Sequence, residues 1–224
     1  GYLEQDFALA PVDEAMLDGG VMMPSGYMAG LRVLSTIFDD GAMIDIGIEF
    51  GFAPSFAYMT PLLPGTTHAV AASALGPSGE ISYGVRANLG ADASGVRLPL
   101  PTAATPVEPM DGSTGVDHGT AFTWEPGSEG VHVVRFFGAG LPTFHVMTDG
   151  TAVTIPELDA VGLGLPPSSA YNWQVYGLGP FDSVDEAVSG PDGILSANWR
   201  PGPYLPRRDG LMSVSVQRGF KTAP

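Results

Sequence analysis

The chain has 224 residues, 44% of them hydrophobic, with 31 glycines and 21 prolines, so it can fill a sizeable core and is rich in turn formers. Its formal net charge is −15, with 24 acidic against 9 basic residues, and such a surface repels the phosphates of nucleic acids. Cysteine is absent and no apolar run reaches the about 18 residues of a spanning helix, so neither a disulfide framework nor a membrane-spanning chain is expected.

Short apolar or alternating runs, separated by Gly, Pro, Asp and Ser, fill the first half of the chain. Such runs are typical of strands rather than helices. The predicted strands are 17–23, 30–38, 42–50, 55–60, 67–74, 81–88 and 95–100. Residues 58–72 read YMTPLLPGTTHAVAA, a strand, a Pro-Gly turn and a strand ending in small residues. This segment resembles the carboxypeptidase-regulatory and transthyretin-like group of small β-sandwiches, which implies an accessory domain of a secreted protein without catalysis of its own.

A proline-rich stretch separates the two halves. Residues 99–112 read PLPTAATPVEPMDG, and four prolines in such a stretch disfavour both helix and regular strand pairing. We therefore expect an extended linker, with a domain boundary near residue 104. The sequence predicts an all-β chain of two antiparallel β-sandwich domains in series, 1–103 and 104–224.

The second half contains clearer strand patterns and one helical turn. The predicted strands are 119–125, 131–138, 142–148, 151–156, 169–177 and 211–219. Ser183 and Glu186 have the spacing of a capping box, which predicts a short helix over 183–188. Residues 178–210 form an insert before the last strand, and much of that insert is irregular.

The strand from residue 169 follows a Leu-Pro turn. Residues 155–176 read IPELDAVGLGLPPSSAYNWQVY, which resembles the E–F corner of fibronectin type III and related Ig-like sandwiches. The resemblance implies that the Tyr171 hydroxyl turns back onto the upstream backbone. Tyr171 and Trp173 would then share one face of the strand, with Trp124 as the apolar partner across the core. The insert at 178–210 departs from the family pattern.

Acidic residues on and beside the predicted strand 42–50 are the candidate metal ligands. Asp39, Asp40, Asp45 and Glu49 offer carboxylate oxygens, the ligands that calcium prefers. Residues 111–117 offer a second acidic stretch. Neither matches a known calcium loop, and an Asp-Asp-Gly sequence is first of all typical of a hairpin turn. No cofactor is expected otherwise.

Aromatic and basic residues near the end of the chain are the candidate partner-binding residues. Residues 1–194 hold four arginines against 23 acids, whereas residues 195–224 hold five basic residues against one acid. Trp199 and Tyr204 lie in the Pro-rich insert, and exposed Trp and Tyr are common anchors of interfaces. Together with Arg207 and Arg208 they predict a contact with a protein or a glycan. The alternatives are a Trp199 that covers the end of the second sandwich and a solvated basic tail.

No nucleophile elbow and no phosphate-binding glycine loop is present, so the sequence predicts a protein that is not an enzyme. The favoured hypothesis is a binding or structural module of a bacterial envelope, secreted or held at the outer surface, with a lipid anchor before Gly1 as one form of attachment. The second is a subunit of a homopolymeric surface assembly, in which residues 2–9 donate a strand to a neighbouring copy. The third is a secreted hydrolase whose site has no short motif.

Overall fold

The computed structural model describes residues 11–51, 53–128, 130–189 and 208–224, and this part of the chain is nearly all β. The predicted all-β class is confirmed, but the expectation of purely antiparallel sheets is not met, because two strand pairs are parallel. The strands are β1 (Glu14–Met22), β2 (Met28–Phe38), β3 (Met43–Phe50), β4 (Ser55–Pro61), β5 (Thr66–Leu75), β6 (Ile81–Leu89), β7 (Val96–Pro99), β8 (Thr105–Glu108), β9 (Ser113–Val116), β10 (Phe122–Glu125), β11 (Val131–Phe137), β12 (Phe144–Thr148), β13 (Ala152–Val153), β14 (Ala170–Gly179), β15 (Gly210–Val214) and β16 (Arg218–Thr222).

One large sheet of ten strands runs through both halves of the chain. Its main path is β12-β11-β14-β15-β6-β5-β2-β3, and β16 pairs with β14 and with β9. Two three-stranded sheets, β4-β1-β7 and β13-β10-β8, complete the described strands. Most pairs are antiparallel, but β1 with β7 and β16 with β9 are parallel, so the sheets are mixed.

The first hydrophobic core contains side chains of the β4-β1-β7 sheet and of the large sheet, in a sandwich-like arrangement. Alternation along each strand produces it: in β4, for example, residues 56, 58 and 60 are buried and the residues between them are exposed. The buried members are Leu17, Val21, Leu34, Phe56, Tyr58, Val70, Ala72, Ala74, Leu98 and Leu100. Gly84 permits the close approach of β6 to the end of β7, because a Cβ there would lie 2.4 Å from the Pro99 carbonyl oxygen.

The second core is aromatic. The Phe122 ring lies 4.7 Å from Phe136, 5.2 Å from Trp173 and 5.2 Å from Phe220, all in edge-to-face geometry. The other buried members of this cluster are Ala104, Val116, Trp124, Val134, Phe144, Ile155, Tyr171 and Val175. All of them come from residues 104–220, while the first core draws on residues 17–100. The boundary near residue 104 and the division into two domains stay predictions.

Strand β15 joins the two halves of the large sheet. It pairs with β14 through Val214–Tyr176 and with β6 through Gly210–Val85. Asp209 fixes this junction: its carboxylate pairs with Arg86 and accepts a hydrogen bond from the Ala87 amide at 2.9 Å. The described end of the chain is therefore not a solvated tail, because residues 210–214 and 218–222 are strands of the sheet.

Two local predictions were wrong. Residues 105–108, inside the predicted linker, form strand β8, in which Pro106 lies opposite Trp124. Proline is tolerated there because β8 is an edge strand, with no neighbour that needs its missing N–H. The single strand predicted at 211–219 is two strands, β15 and β16, that pair with different parts of β14.

The short helix α1 (Val184–Val188) confirms the predicted capping signal. The Ser183 hydroxyl accepts a hydrogen bond from the Glu186 amide at 3.2 Å, as an N-cap does. The Glu186 carboxylate reaches back to the Asp182 amide at 2.7 Å, one residue earlier than in an ideal capping box. Ala187 of α1 packs in a small cluster with Val131, Val133 and Leu178 on one face of the large sheet.

Candidate functional site

Strand β3 is the last strand of the large sheet, and its outer edge has no neighbour among the described strands. Four large apolar side chains on it are unusually exposed: Ile44 by 55%, Ile46 by 40%, Ile48 by 59% and Phe50 by 81%. Long apolar edge strands are rare in soluble proteins, because a row of free N–H and C=O groups beside apolar side chains invites another strand to pair. This free edge of β3 is the candidate functional site.

A β-bulge at Ile46 sets the direction of the backbone groups along this edge. Leu34 pairs with Gly47 while the next residue of β2, Ser35, pairs with Asp45, so Ile46 is the extra residue. The Gly51 amide donates to the Gly30 carbonyl at 3.1 Å, toward β2. Since backbone groups alternate between the two edges of a strand, those of Ile48 and Phe50 point away from β2.

The same reasoning applies before the bulge. The Ala42 carbonyl accepts from the Phe38 amide at 2.9 Å, toward β2, so the backbone groups of Met43 and Asp45 point outward. The free edge therefore offers N–H and C=O groups at four positions, two on each side of the bulge. Met43 also packs against the small cluster that contains Ile37, which anchors the start of β3.

A polar network holds the far end of β3. The side chain of Arg32 is 7% exposed, and its Nη2 lies 3.0 Å from the Glu49 carboxylate. Its Nη1 donates to the carbonyls of Ala53 and Ser55, the latter at 2.7 Å. The Tyr58 hydroxyl donates to the same Glu49 oxygen at 3.2 Å, and burial, aided by the negative charge of Glu49, raises the pKa of Tyr58 to about 12. The network therefore links β2, β3 and β4 at this end of the edge.

The four predicted calcium ligands lie along this hairpin, and three of their carboxylates, those of Asp40, Asp45 and Glu49, have separate partners. Asp45 accepts from the Ser35 hydroxyl at 2.6 Å, and Glu49 is held by Arg32 and Tyr58. Asp40 accepts from the Ala42 amide at 2.8 Å, as the first residue of a tight turn does. Within the described residues, no group of three or more His, Asp or Glu is arranged to hold a metal ion. The structure therefore does not bring the calcium residues together.

The second acidic stretch is also a turn. Asp117 accepts from the Gly119 amide at 3.0 Å and from the Thr120 hydroxyl at 2.9 Å. Asp111 lies elsewhere and accepts from the Gly219 amide at 2.6 Å, beside β16. These carboxylates accept hydrogen bonds from two backbone amides and from the Thr120 hydroxyl. They do not form one common site.

Three of the predicted partner-binding residues, Trp199, Tyr204 and Arg207, lie outside the described residues. The fourth, Arg208, is described: its guanidinium lies 5.0 Å from the centre of the Phe181 ring, a cation–π distance. Arg208 therefore helps to hold the segment before β15 against the residues that lead into α1. The binding prediction for these four residues stays a prediction.

The three residues of the predicted corner are buried together, but the hydrogen bond that the resemblance implies is not made among the described residues. Tyr171, Trp173 and Trp124 are all buried members of the aromatic core, and Tyr171 stacks on Phe220 at 5.6 Å. The Tyr171 hydroxyl, however, has no hydrogen-bond partner among the described residues. The upstream carbonyl of Pro166 accepts instead from the Thr222 hydroxyl at 2.7 Å, because β16 pairs along β14 at this point.

This geometry predicts that Tyr171→Phe leaves the free energy of unfolding unchanged or raises it by about 1 kcal/mol. A buried hydroxyl without a partner costs desolvation energy, and phenylalanine keeps the ring packing. Urea unfolding followed by circular dichroism measures the change. A loss of about 1.5 kcal/mol or more would contradict this prediction, because it would indicate that the Tyr171 hydroxyl makes the hydrogen bond that the resemblance implies.

His68 lines one of the surface pockets. It is 1% exposed, its Nδ1 is 3.2 Å from the Thr36 hydroxyl oxygen, and burial lowers its pKa from the usual value of a histidine, opposed in part by the Pro61 backbone. The described residues that line this pocket, of about 320 Å³, include no acid. A second pocket, of about 260 Å³, is lined by Asp39 and Asp40, and its described lining includes no histidine.

The free edge of β3 is not among the sites predicted from the sequence, although its apolar residues form a visible pattern there. Ile44, Ile46, Ile48 and Phe50 alternate with other residues, a pattern that predicts a strand with one buried face. The bulge and the end position in the sheet leave that apolar set exposed instead. Strand order is a tertiary property, so the exposure of these residues follows only from the fold.

None of the helices in the described part of the chain is both long and apolar enough to cross a membrane. Comparison of the sequence with known protein families and with curated proteins finds no match.

Proposed function

We propose that this chain is a non-enzymatic binding and structural module of a bacterial envelope, secreted or displayed at the cell surface. In this proposal its first half is a carboxypeptidase-regulatory-like sandwich and its second half a fibronectin type III-like sandwich. The acidic, nearly lysine-free composition and the all-β fold agree with such modules, which is an argument by analogy. The free edge of β3 carries the proposal, because it is a ready-made surface for another polypeptide.

The chemistry of this edge favours a protein partner over a glycan. An added strand gains backbone hydrogen bonds along the edge and buries apolar side chains beside Ile48 and Phe50. A glycan has no backbone amide row that could pair with this edge. The proposed partner is therefore a surface protein that offers an unpaired strand.

Retention on isolated bacterial envelope tests this proposal. We expect Ile48→Lys to reduce the retained fraction of the purified chain several-fold, because a charge on the edge blocks an incoming strand. Met59→Lys is the matched control: Met59 is 54% exposed, close to the 59% of Ile48, and lies on β4, an edge strand of the other sheet. Equal retention of wild type and both variants would contradict binding through β3.

A second candidate is a subunit of a homopolymeric surface assembly built by strand donation. The observation that favours it is again the free edge of β3, which would accept the donated strand. The donor segment named by the sequence, residues 2–9, lies outside the described residues. In this version, deletion of residues 1–10 abolishes the polymer, and an unchanged polymer would contradict donation by that segment.

A further inference from the structure

The bulge gives the outward backbone groups of the free edge of β3 a spacing that is the same in both chain directions. Its outward backbone groups belong to Met43 and Asp45 on one side of Ile46, and to Ile48 and Phe50 on the other. A regular strand presents such groups at every second residue, but here the middle spacing is three residues. A partner strand without a bulge can therefore match only one side of this edge at a time.

We infer that the partner of this edge is the same edge of a second copy, paired antiparallel about the midpoint between Ile46 and Gly47. In this register Met43 faces Phe50 of the second copy, and Asp45 faces its Ile48. Each pair consists of two residues whose backbone groups point outward, so both exchange hydrogen bonds. The extra residue on one strand is matched by the extra residue on the other. The inference rests on the proposed role of β3 as a binding edge and names the partner.

The positions of the two acidic residues of β3 favour the same register. The two acids of the strand face apolar residues, since Asp45 lies opposite Ile48 and Glu49 lies opposite Ile44 of the second copy. A register centred on Gly47 would instead place Asp45 opposite Glu49, and like charges directly opposed across strands are destabilising. Glu49 is in addition neutralised by Arg32 within its own copy, at 3.0 Å. The edge is therefore self-complementary in one register only.

The side chains on the shared face also fit. Met43 and Phe50 lie on the same face of the sheet as Ile37 and Leu31, their neighbours on β2. Pairing brings the Met43 thioether beside the Phe50 ring of the second copy, a favourable sulfur–aromatic contact. The most exposed side chain of the edge, Phe50 at 81%, is thereby covered.

Three physical consequences follow for the assembly. Isologous pairing uses the edge of both copies, so it closes at a dimer and does not extend into a polymer. Eight residues a side form an interface below the standard size, so the dimer should be weak and should appear as the concentration rises. Each copy carries a net charge of −15, so salt screens repulsion between copies and strengthens the dimer.

Sedimentation velocity of the whole chain, over rising concentration at low and high salt, tests the inference. We expect a monomer–dimer equilibrium shifted toward dimer by salt, abolished by Ile48→Lys and retained in the matched variant Met59→Lys. Deletion of residues 1–10 should leave the dimer unchanged. A monomer at every concentration, a dimer that persists in Ile48→Lys, or an open-ended series lost with residues 1–10 would overturn the inference.

Engineered cysteines test the register, because the native chain contains none. Asp45→Cys mixed with Ile48→Cys should form a disulfide-linked dimer, since opposed residues of hydrogen-bonded antiparallel strands have Cα atoms about 5.5 Å apart. Either variant alone should cross-link much less. Equal cross-linking in the single-variant samples would overturn the register. Envelope retention remains a separate readout: retention lost in Ile48→Lys without any dimer would leave the proposed function standing while this inference fails.

Discussion

Replacement of Trp173 by alanine is expected to lower the free energy of unfolding by about 3–5 kcal/mol. The side chain is 0% exposed, and its ring lies edge-to-face with Phe122 at 5.2 Å. Trp173 is on β14, a central strand of the large sheet, and Phe122 is on β10 of a three-stranded sheet. The substitution therefore opens a large cavity in the aromatic core, between the large sheet and the β13-β10-β8 sheet. Urea denaturation followed by circular dichroism measures the loss.

Two controls separate packing from other effects at this position. The Trp173 indole N–H has no hydrogen-bond partner among the described residues, so Trp173→Phe should lose only part of the packing and cost clearly less than Trp173→Ala. Val161→Ala, at a position 68% exposed, should change the free energy of unfolding by less than about 0.5 kcal/mol. A loss below about 1 kcal/mol in Trp173→Ala would show that the aromatic cluster is not a packed core.

Replacement of Arg32 by glutamine is expected to cost about 2–3 kcal/mol of stability. The buried guanidinium neutralises Glu49 and satisfies the carbonyls of Ala53 and Ser55, and glutamine cannot do all three. The expected cost is held below that of a fully buried pair, because the Glu49 side chain is 44% exposed and water compensates it in part. Urea unfolding of the variant gives the value.

The conservative variant Arg32→Lys should recover only part of the loss, because an ammonium group cannot reproduce the planar fork of a guanidinium. Arg97→Gln serves as the control, since Arg97 is exposed on β7. Full stability of Arg32→Gln would mean that the network does not hold the end of β3. The variant should also loosen the free edge, which links this stability measurement to the proposed binding surface.

Much of the fold follows from the sequence, because strand alternation and turn residues are local signals. The alternation that predicts strands at 55–60 and 81–88 is present in β4 and β6, and the capping residues Ser183 and Glu186 begin α1. The prediction that prolines exclude a strand was wrong at Pro106. Proline disfavours central strands, whereas β8 is an edge strand. Whether a strand lies at an edge depends on strand order, which local signals do not contain.

The candidate site was less predictable. The carboxylates Asp45 and Glu49 were interpreted as calcium ligands, but the fold gives each a donor of its own, the Ser35 hydroxyl and the Arg32 guanidinium. The apolar residues between those acids proved more informative, since the bulge and the terminal position of β3 expose them. Tyr171 is buried in the aromatic core, but its hydroxyl has no partner among the described residues, and the Thr222 hydroxyl of β16 donates to the upstream Pro166 carbonyl.

Amide hydrogen exchange, resolved by NMR at low and high protein concentration, tests the role of the β3 edge most directly. The amides of Ile48 and Phe50 point away from β2, so they should exchange rapidly in dilute solution, while that of Glu49, which points toward β2, should be protected. As dimers form, exchange at Ile48 and Phe50 should slow roughly tenfold once about nine molecules in ten are paired, with Glu49 unchanged. Rapid exchange at both residues at every concentration would contradict pairing through this edge.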